Sequence, residues 1–198
     1  MRAPTRSPLW VVMSLLGIAV SLAACGTGNL RVTAIPPTPA GPVLAAPTAR
    51  IARASAADDI REAVFRYQFQ HNASGQQRRA RVYCLALGVE SPGSGPPTGA
   101  PADIDPSDTF MQRFTGNQPP VAKRSQCIVT HDTGVHDAAT GEPGLVFRVA
   151  GIVWASDREA VVAGGYYEGN LSASGNEYRV EYGSGSWVVT RNTMRWIA

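Results

Sequence analysis

Four β-rich runs fill the last third of the chain, and short turn-forming clusters separate them. The runs cover residues 145–154, 160–168, 177–183 and 187–197. Connections as short as Ala155-Ser156-Asp157 place successive strands side by side in antiparallel order. The glycine pair Gly164-Gly165 interrupts the second run, which predicts a bulge or a sharp curl at that point. The region therefore predicts a C-terminal four-stranded antiparallel meander.

A helix is expected well before these strands. Ser55-Ala56-Ala57-Asp58 has the form of a capping box, and Gly75 would end the helix shortly after Asn72. Its apolar residues lie on two sides, with Ile60, Ala63, Val64, Tyr67 and His71 on one stripe and Phe65 and Phe69 opposite. A helix that is apolar on two sides is covered on both, so we expect a sheet on one side and a loop or short helix on the other.

Shorter elements are expected between this helix and the meander. Residues 81–88 and 125–130 have the composition of strands. Asp105-Pro106-Ser107-Asp108 has the form of a helix start, with the first aspartate as the cap and proline at the first helical position. Phe110 and Phe114 follow one turn apart and would dock this short helix on the core.

Taken together, these elements predict an α+β fold. We expect an N-terminal amphipathic helix packed on a curved antiparallel sheet that ends in the four-stranded meander. The length of the region suits one hydrophobic core.

The N-terminal segment has the features of a secretory signal. Arg2 and Arg6 precede an apolar run that ends at Val20, and the run is too short to span a bilayer at about 20 residues per crossing. The following Leu22-Ala23-Ala24-Cys25 resembles the lipobox of bacterial lipoproteins, in which a diacylglycerol is attached to the cysteine thiol. The alternative is an ordinary signal peptide with an incidental cysteine.

The lipobox resemblance implies where the protein is located. Cys25 would be the lipidated residue, and Gly26 stands where an aspartate would favour retention at the inner membrane. The protein is therefore expected in the cell envelope, on the periplasmic side of the outer membrane in a Gram-negative cell. The lipid anchor would attach the protein to the membrane.

The sequence predicts three segments. Residues 1–24 form the signal peptide, residues 25–53 carry the lipidated cysteine and a proline-rich tether, and residues 54–198 form a single globular α+β domain. Arg2 and Arg6 contribute to the formal charge of +3, so the mature chain is almost neutral. This balance gives no reason to expect nucleic acid as a partner.

The three cysteines divide between two tasks. If Cys25 carries lipid, Cys84 and Cys127 remain as an even pair in an oxidising compartment. A disulfide between them is therefore predicted, with two buried free thiols as the alternative.

Three short segments resemble those of a family of uncharacterised bacterial envelope lipoproteins. They are Asp105-Pro106-Ser107-Asp108 with Phe110 and Phe114, Gly164-Gly165-Tyr166-Tyr167-Glu168, and Leu171-Ser172-Ala173-Ser174-Gly175. An early helix over a curved antiparallel sheet is also similar to the cystatin-like and nuclear-transport-factor-2-like folds. The resemblance covers about residues 57–198. The family carries no known activity, so the resemblance implies no catalytic residue. The fold class itself includes enzymes, binding proteins and assembly modules.

No linear motif predicts a catalytic site or a cofactor. Asp132-Thr133-Gly134 matches the triplet of aspartic proteases, but His131 precedes it and a second triplet does not occur. His131 and His136, each followed by an aspartate, could bind a metal only with a third ligand, so no metal site is predicted. The sequence also contains no nucleophile elbow, phosphate-binding loop or dinucleotide fingerprint.

The remaining candidate binding residues are aromatic or ionisable. They are Tyr166, Tyr167, Glu168 and His71. Neighbouring tyrosines on a strand point to opposite faces, so one faces the helix and the other can line a recognition surface. Cross-strand packing is the alternative role for such aromatic side chains.

Two functions are compatible with these features. The leading prediction is a non-catalytic envelope lipoprotein that binds a partner through its sheet or loops, the partner being an envelope protein, a polymer or a small ligand. The alternative is a small enzyme or a small-molecule carrier with a pocket between helix and sheet, using His71 or Glu168.

Overall fold

Two α-helices and eight strands are formed by the residues that the structure describes. The structure, a computed structural model, describes residues 52–72, 74–96, 102–130, 133–169 and 172–198. The helices are α1 (Arg53–His71) and α2 (Asp108–Met111). The strands are β1 (Val82–Leu87), β2 (Val121–Lys123), β3 (Cys127–Thr130), β4 (Gly134–Asp137), β5 (Gly144–Ser156), β6 (Glu159–Gly169), β7 (Ser172–Gly183) and β8 (Ser186–Ile197).

Six of these strands form one sheet, in the order β2-β1-β5-β6-β7-β8, while β3 and β4 form a separate two-stranded hairpin. Strands β5 to β8 are antiparallel neighbours in chain order. The predicted α+β class and the mostly antiparallel sheet are thus confirmed. Strand β1 differs, because it runs parallel to both β2 and β5. Parallel pairing needs a long crossover, and the residues between β1 and β5 supply one through α2 and the hairpin.

The sequence predicts a bulge at Gly164-Gly165 of β6, but the bulge lies on the neighbouring strand β5 instead. Val149 pairs with Gly164, but the next aligned pair is Ile152 with Val162, so β5 carries the extra residue. Gly165 has a different role. A Cβ at this position would lie 1.9 Å from the carbonyl oxygen of Ser174 on β7. The glycine therefore allows the close approach of β6 and β7.

The helix α1 begins earlier than predicted, and the capping-box prediction is wrong. The N-cap is Ala52, which makes no side-chain hydrogen bond, and the helix starts at Arg53. Ser55 therefore lies inside the first turn, where its hydroxyl donates to the carbonyl of Ala52 at 2.9 Å. At the other end the helix stops at His71, next to the predicted Asn72.

The start of α2 also differs from the prediction. Ser107 is the cap, and its Oγ accepts a hydrogen bond from the backbone N–H of Phe110 at 3.1 Å. Asp105 bonds elsewhere: its carboxylate accepts from the backbone N–H of Ser125 at 2.9 Å and from the hydroxyl of that residue. Asp105 does not cap α2 because its carboxylate bonds to Ser125, in the turn before β3.

The core on the helix side of the sheet is rich in aromatic rings. Ile60, Val64 and Phe65 of α1 are completely buried. Phe65 contacts Phe110 and Phe114 at centroid distances of 6.1 and 6.0 Å. One side of α1 thus faces the sheet, and the other is covered by α2 and the 3-10 turn that follows it.

The opposite face of the sheet carries the hairpin. Val82, Cys84 and Ala86 of β1 alternate with the residues that face α1, and they pack with Val135 of the hairpin. A disulfide joins Cys84 of β1 to Cys127 of β3, and both residues are buried. The predicted bridge is confirmed. It fastens the hairpin to β1, the strand next to the β2 edge of the sheet.

Candidate functional site

Two cavities lie on opposite faces of the sheet. The front cavity, about 230 Å³, lies between the C-terminal end of α1 and strands β5 to β8. The outer groove, about 460 Å³, lies on the opposite face between the hairpin and the loop of residues 90–96. Side chains alternate between the two faces along each strand. Four residues at the middle of β6 and β7 line both cavities: Gly165, Tyr166, Ser174 and Asn176.

The outer groove has a floor of small residues. Ala150, Ala163, Gly165, Ala173 and Gly175 come from three adjacent strands and line it. Small side chains leave the space that larger residues would fill on a packed sheet face. The floor is mainly apolar, and Val129, Val146, Tyr167 and Trp196 add larger apolar walls.

Trp196 forms the wall of the groove at β8. It is paired with Gly175 of β7 across the ladder. A Cβ on Gly175 would lie 2.1 Å from Nε1 of the indole, so the ring lies directly over the glycine backbone. A side chain at position 175 would displace Trp196 and change the groove.

Charged groups at the rim of the groove are paired with one another. Arg148 donates from Nε to Asp103 at 2.5 Å and from Nη2 to Glu90 at 2.7 Å. A second pair, Arg195 with Glu177, lies at 3.1 Å. Arg124 also faces Asp103, at 3.4 Å. The arginines and carboxylates of the rim therefore balance in charge.

Arg148 and Glu90 stabilise each other's charged form in a partly buried setting. Burial alone would lower the pKa of Arg148, but hydrogen bonds and charges from Glu90 and Asp103 outweigh it and raise that pKa. Burial would likewise raise the pKa of Glu90, but its bonds with Arg148 lower it. A ligand in the groove therefore meets a fixed ion pair, not a free charge.

The front cavity is lined by neutral hydrogen-bonding groups. Ser174, Asn176 and Tyr178 follow one another on one face of β7, and all three are buried. The Ser174 hydroxyl donates to Oδ1 of Asn176 at 2.8 Å, and Nδ2 of Asn176 donates to Oδ1 of Asn192 at 2.7 Å. Gln68 of α1 completes this wall of the cavity.

Gln68 connects the helix to the sheet. Its Nε2 donates to the carbonyls of Arg148 at 3.0 Å and Gly165 at 3.2 Å, and lies 3.2 Å from the hydroxyl of Tyr178. Burial raises the pKa of Tyr178 to about 12, and the bond from Gln68 offsets only part of that effect. The Tyr178 phenol is therefore neutral at physiological pH.

The predicted tyrosine pair is divided between the two faces. Tyr166 packs with the core on the helix side, and Tyr167 packs with the hairpin cluster. Tyr166 lines both cavities, whereas Tyr167 lines the outer groove and is not among the residues that line the front cavity. The two side chains therefore do not form one surface.

Glu168 and His71 are not brought together. Glu168 accepts from the backbone N–H of Gln76 at 3.1 Å and from the hydroxyl of Ser172 at 2.6 Å. It ties the turn after α1 to the start of β7, and it is not among the described residues that line either cavity. His71 is exposed at the front cavity and stacks on Tyr67 at 4.1 Å.

The other candidate positions divide between described and undescribed parts of the chain. His136 lies in the hairpin, where Nε2 is 2.7 Å from the carbonyl of Thr133 and Nδ1 is 3.3 Å from that of Gly141. Cys25 and His131, like the predicted signal and tether up to residue 51, lie outside the described residues. Within the described residues, no group of three or more metal-binding side chains occurs.

Sequence reasoning missed most of the residues that line the cavities, although signals were present. Gln68 is a polar residue between apolar positions of α1. Ser174 and Asn176 occupy alternate positions on the buried face of β7, and Ala163 and Ala173 are small residues at positions where a sheet usually places larger ones. These residues can be recognised as the lining of a cavity only when the register of β6 and β7 is known.

Comparisons with known proteins gave no relative. The chain matches no protein-family model, no curated protein and no solved structure. No helix formed by the described residues has the length and apolar character needed to span a bilayer.

Proposed function

We propose that this chain is a lipid-anchored envelope protein whose folded domain binds a mainly apolar small ligand in the outer groove, without catalysing a reaction. The observation that carries the proposal is the groove itself. About 460 Å³ of space lies on a sheet face that small residues leave unfilled. Ligand sites in proteins are concave, mostly apolar and of this order of size.

The rim supports an uncharged or amphipathic ligand. Arg148 is already bonded to Glu90 and Asp103, and Arg195 to Glu177. An anionic group would have to displace these carboxylates, and breaking the partly buried pair of Arg148 with Glu90 has a cost. An apolar ligand with a small polar end meets no such cost.

The membrane part of the proposal rests on the N-terminal sequence. Lipid on Cys25 would hold the chain at the membrane, since each acyl methylene adds about 0.8 kcal/mol of affinity. The proline-rich residues 26–52 would act as an extended spacer at up to about 3 Å per residue. We propose that the protein faces the periplasm, on the outer membrane in a Gram-negative cell.

We also propose the cystatin-like or nuclear-transport-factor-2-like arrangement for the domain. The packing of α1 against β5, β7 and β8 supports it. The disulfide between Cys84 and Cys127 supports an oxidising compartment such as the envelope, because cytosolic thiols are kept reduced.

Replacing Cys25 by serine should release the protein from membranes. A serine hydroxyl is not the thiol to which the lipid is attached, so the anchor is lost. Fractionation of cells, followed by immunoblotting, should find the wild-type chain in the membrane pellet and Cys25→Ser in the soluble fraction. The neighbouring substitution Gly26→Ala is the control and should stay with the membranes. Retention of Cys25→Ser in the pellet would contradict the anchor.

Filling the outer groove should abolish binding of an apolar probe. We expect the wild-type chain, recovered from envelopes in lipid nanodiscs, to bind the neutral fluorophore N-phenyl-1-naphthylamine saturably above the signal of empty nanodiscs. Ala163 lines the groove and is only partly buried, so Ala163→Trp can occupy that space. Val188 is exposed on β8, and Val188→Trp adds the same bulk outside the groove. Fluorescence titration should show loss of binding in the first variant and no change in the second.

A specific observation also favours the alternative, a small enzyme or carrier with a pocket between helix and sheet. The front cavity is such a pocket, and His71 lies at it. Glu168, the second ionisable residue suggested for that role, is used in the bonds to Gln76 and Ser172. The alternative therefore depends on the front cavity and on His71 alone.

A further inference from the structure

We infer that the front cavity is a second binding site, which takes a neutral, hydroxyl-rich ring of about monosaccharide size. This inference does not depend on ligand binding in the outer groove, because the two cavities lie on opposite faces of the sheet. It rests on the charge, the hydrogen-bonding groups and the walls of the front cavity.

The lining of the front cavity is polar and consists mainly of amide and hydroxyl groups. Its polar members are Gln68, His71, Asn72, Ser74, Ser174, Asn176 and Asn192, together with three tyrosines. Among the described residues that line it there is no aspartate, glutamate, lysine or arginine. A charged ligand would lose its hydration here without gaining an opposite charge. The outer groove differs, because arginine–carboxylate pairs lie at its rim.

A buried amide oxygen in this cavity has no partner. Gln68 is only 3% exposed, and its Oε1 accepts no hydrogen bond from the described residues. Its Nε2 bonds to two carbonyls, which fixes the orientation of the amide. An unsatisfied buried acceptor costs about 1–3 kcal/mol, and a ligand hydroxyl or a water can remove that cost. Gln68 lines the cavity, so the inference places this acceptor beside the ligand.

The remaining polar groups can complete the set. Asn192 uses its Oδ1 to accept from Asn176, so its NH₂ group can donate to a ligand. Ser174 donates to Asn176, so its Oγ keeps lone pairs for accepting. A ring that bears several hydroxyls both donates and accepts, which matches this mixture of donors and acceptors.

Aromatic rings supply the apolar walls. Tyr67 and His71 form a stack whose planes differ by 12°, and Tyr178 meets Tyr67 edge to face at 5.8 Å. Tyr166 and Phe147 also line the cavity. Flat apolar walls beside amide and hydroxyl groups suit a ring with one apolar face and a polar edge.

The size of the cavity limits the ligand. Sites for drug-sized ligands begin at about 300 Å³. The front cavity, at about 230 Å³, is smaller and suits a single sugar or cyclitol ring. It is also larger than one or two waters need, at about 30 Å³ per water in the liquid.

The test uses defined probes with the full-length chain in lipid nanodiscs. The neutral probes are methyl β-D-glucopyranoside, N-acetylglucosamine and myo-inositol, and the charged probes are glucosamine and glucuronate. Saturation-transfer NMR identifies binders, and calorimetric titration measures their affinity. We expect saturable binding of at least one neutral probe and weaker binding of both charged ones.

Two variants locate the site. Asn192→Ala should weaken binding about 3- to 10-fold, the effect of one lost neutral hydrogen bond. Thr193→Ala, the neighbouring exposed residue of β8, is the matched control and should bind as the wild type does. Asn192 is exposed, so its replacement should leave the fold intact, and thermal unfolding checks this.

Gln68→Met removes the unpartnered oxygen and also the Nε2 bonds to the carbonyls of Arg148 and Gly165. It should weaken binding, and thermal unfolding shows how much of the loss reflects a less stable domain. Three results would overturn the inference: no saturable binding of any neutral probe, unchanged binding by Asn192→Ala, or tighter binding of a charged probe than of every neutral one. The variant Ala163→Trp should lose fluorophore binding but keep the wild-type affinity for the neutral probe. The proposal for the outer groove and the inference for the front cavity can therefore fail independently.

Discussion

Replacing Cys84 and Cys127 by alanine should lower the free energy of unfolding by about 4 kcal/mol. The two residues are 43 positions apart in the sequence. A disulfide of that separation removes about this much chain entropy from the unfolded state at 25 °C. Both sulfurs are buried between β1 and β3, so the substitution also loses packing under the hairpin. Urea unfolding followed by circular dichroism measures the difference.

Reductant is the control for this prediction. It should lower the stability of the wild-type chain and leave that of the double variant unchanged. Unfolding free energies within about 1 kcal/mol of each other for the two proteins would show that the bridge does not constrain the unfolded chain as expected. The native protein should also present neither Cys84 nor Cys127 to an alkylating reagent.

Replacing Gly165 by alanine should destabilise the domain on the order of 4 kcal/mol, at the upper end of single substitutions. The new Cβ would lie 1.9 Å from the carbonyl oxygen of Ser174, and neither atom is at the end of a flexible side chain. Strands β6 and β7 would have to separate where both cavities are built. Thermal and urea unfolding of the variant, compared with wild type, measure the loss.

A second glycine of the same strand provides the control. At Gly169 the nearest atom to an added Cβ is the Cα of Gly134 at 3.5 Å, an ordinary contact. Gly169→Ala should therefore change stability by less than about 1 kcal/mol. Equal effects of the two substitutions would show that backbone approach at Gly165 is not what limits the side chain there.

The two faces of the sheet differ in chemistry because strand residues alternate. On β7, Ala173 and Gly175 line the outer groove and not the front cavity, whereas Ser174 and Asn176 bond with each other on the front side and line both cavities. A shift of register by one residue would exchange these sets and abolish both cavities. The segment therefore specifies an apolar site and a polar site at once.

Much of the fold follows from local patterns. The disulfide could be predicted because only Cys84 and Cys127 remain once Cys25 is assigned to lipid. The strands of the meander could be predicted because β-rich runs and turn residues alternate in the sequence. The boundaries of β7 could not, because its first residues, Ser172 to Asn176, are small and polar and have low strand propensity. Their pairing with β6 and β8 places them in the sheet.

Other features depend on distant partners and could not be predicted. The parallel pairing of β1 with β5 is set by a crossover of more than fifty residues. Asp105 matched a helix cap in the sequence, but Ser125 offers it two hydrogen bonds in the fold. The outer groove depends on which small residues of β5, β6 and β7 become neighbours. Composition alone does not determine that arrangement.

The central claim is that the outer groove holds an apolar ligand. The titration of N-phenyl-1-naphthylamine into the wild type, Ala163→Trp and Val188→Trp tests it most directly. We expect one saturable site per chain in the wild type and in Val188→Trp, and none in Ala163→Trp. Equal binding by Ala163→Trp and the wild type, or binding no greater than that of empty nanodiscs, would contradict it.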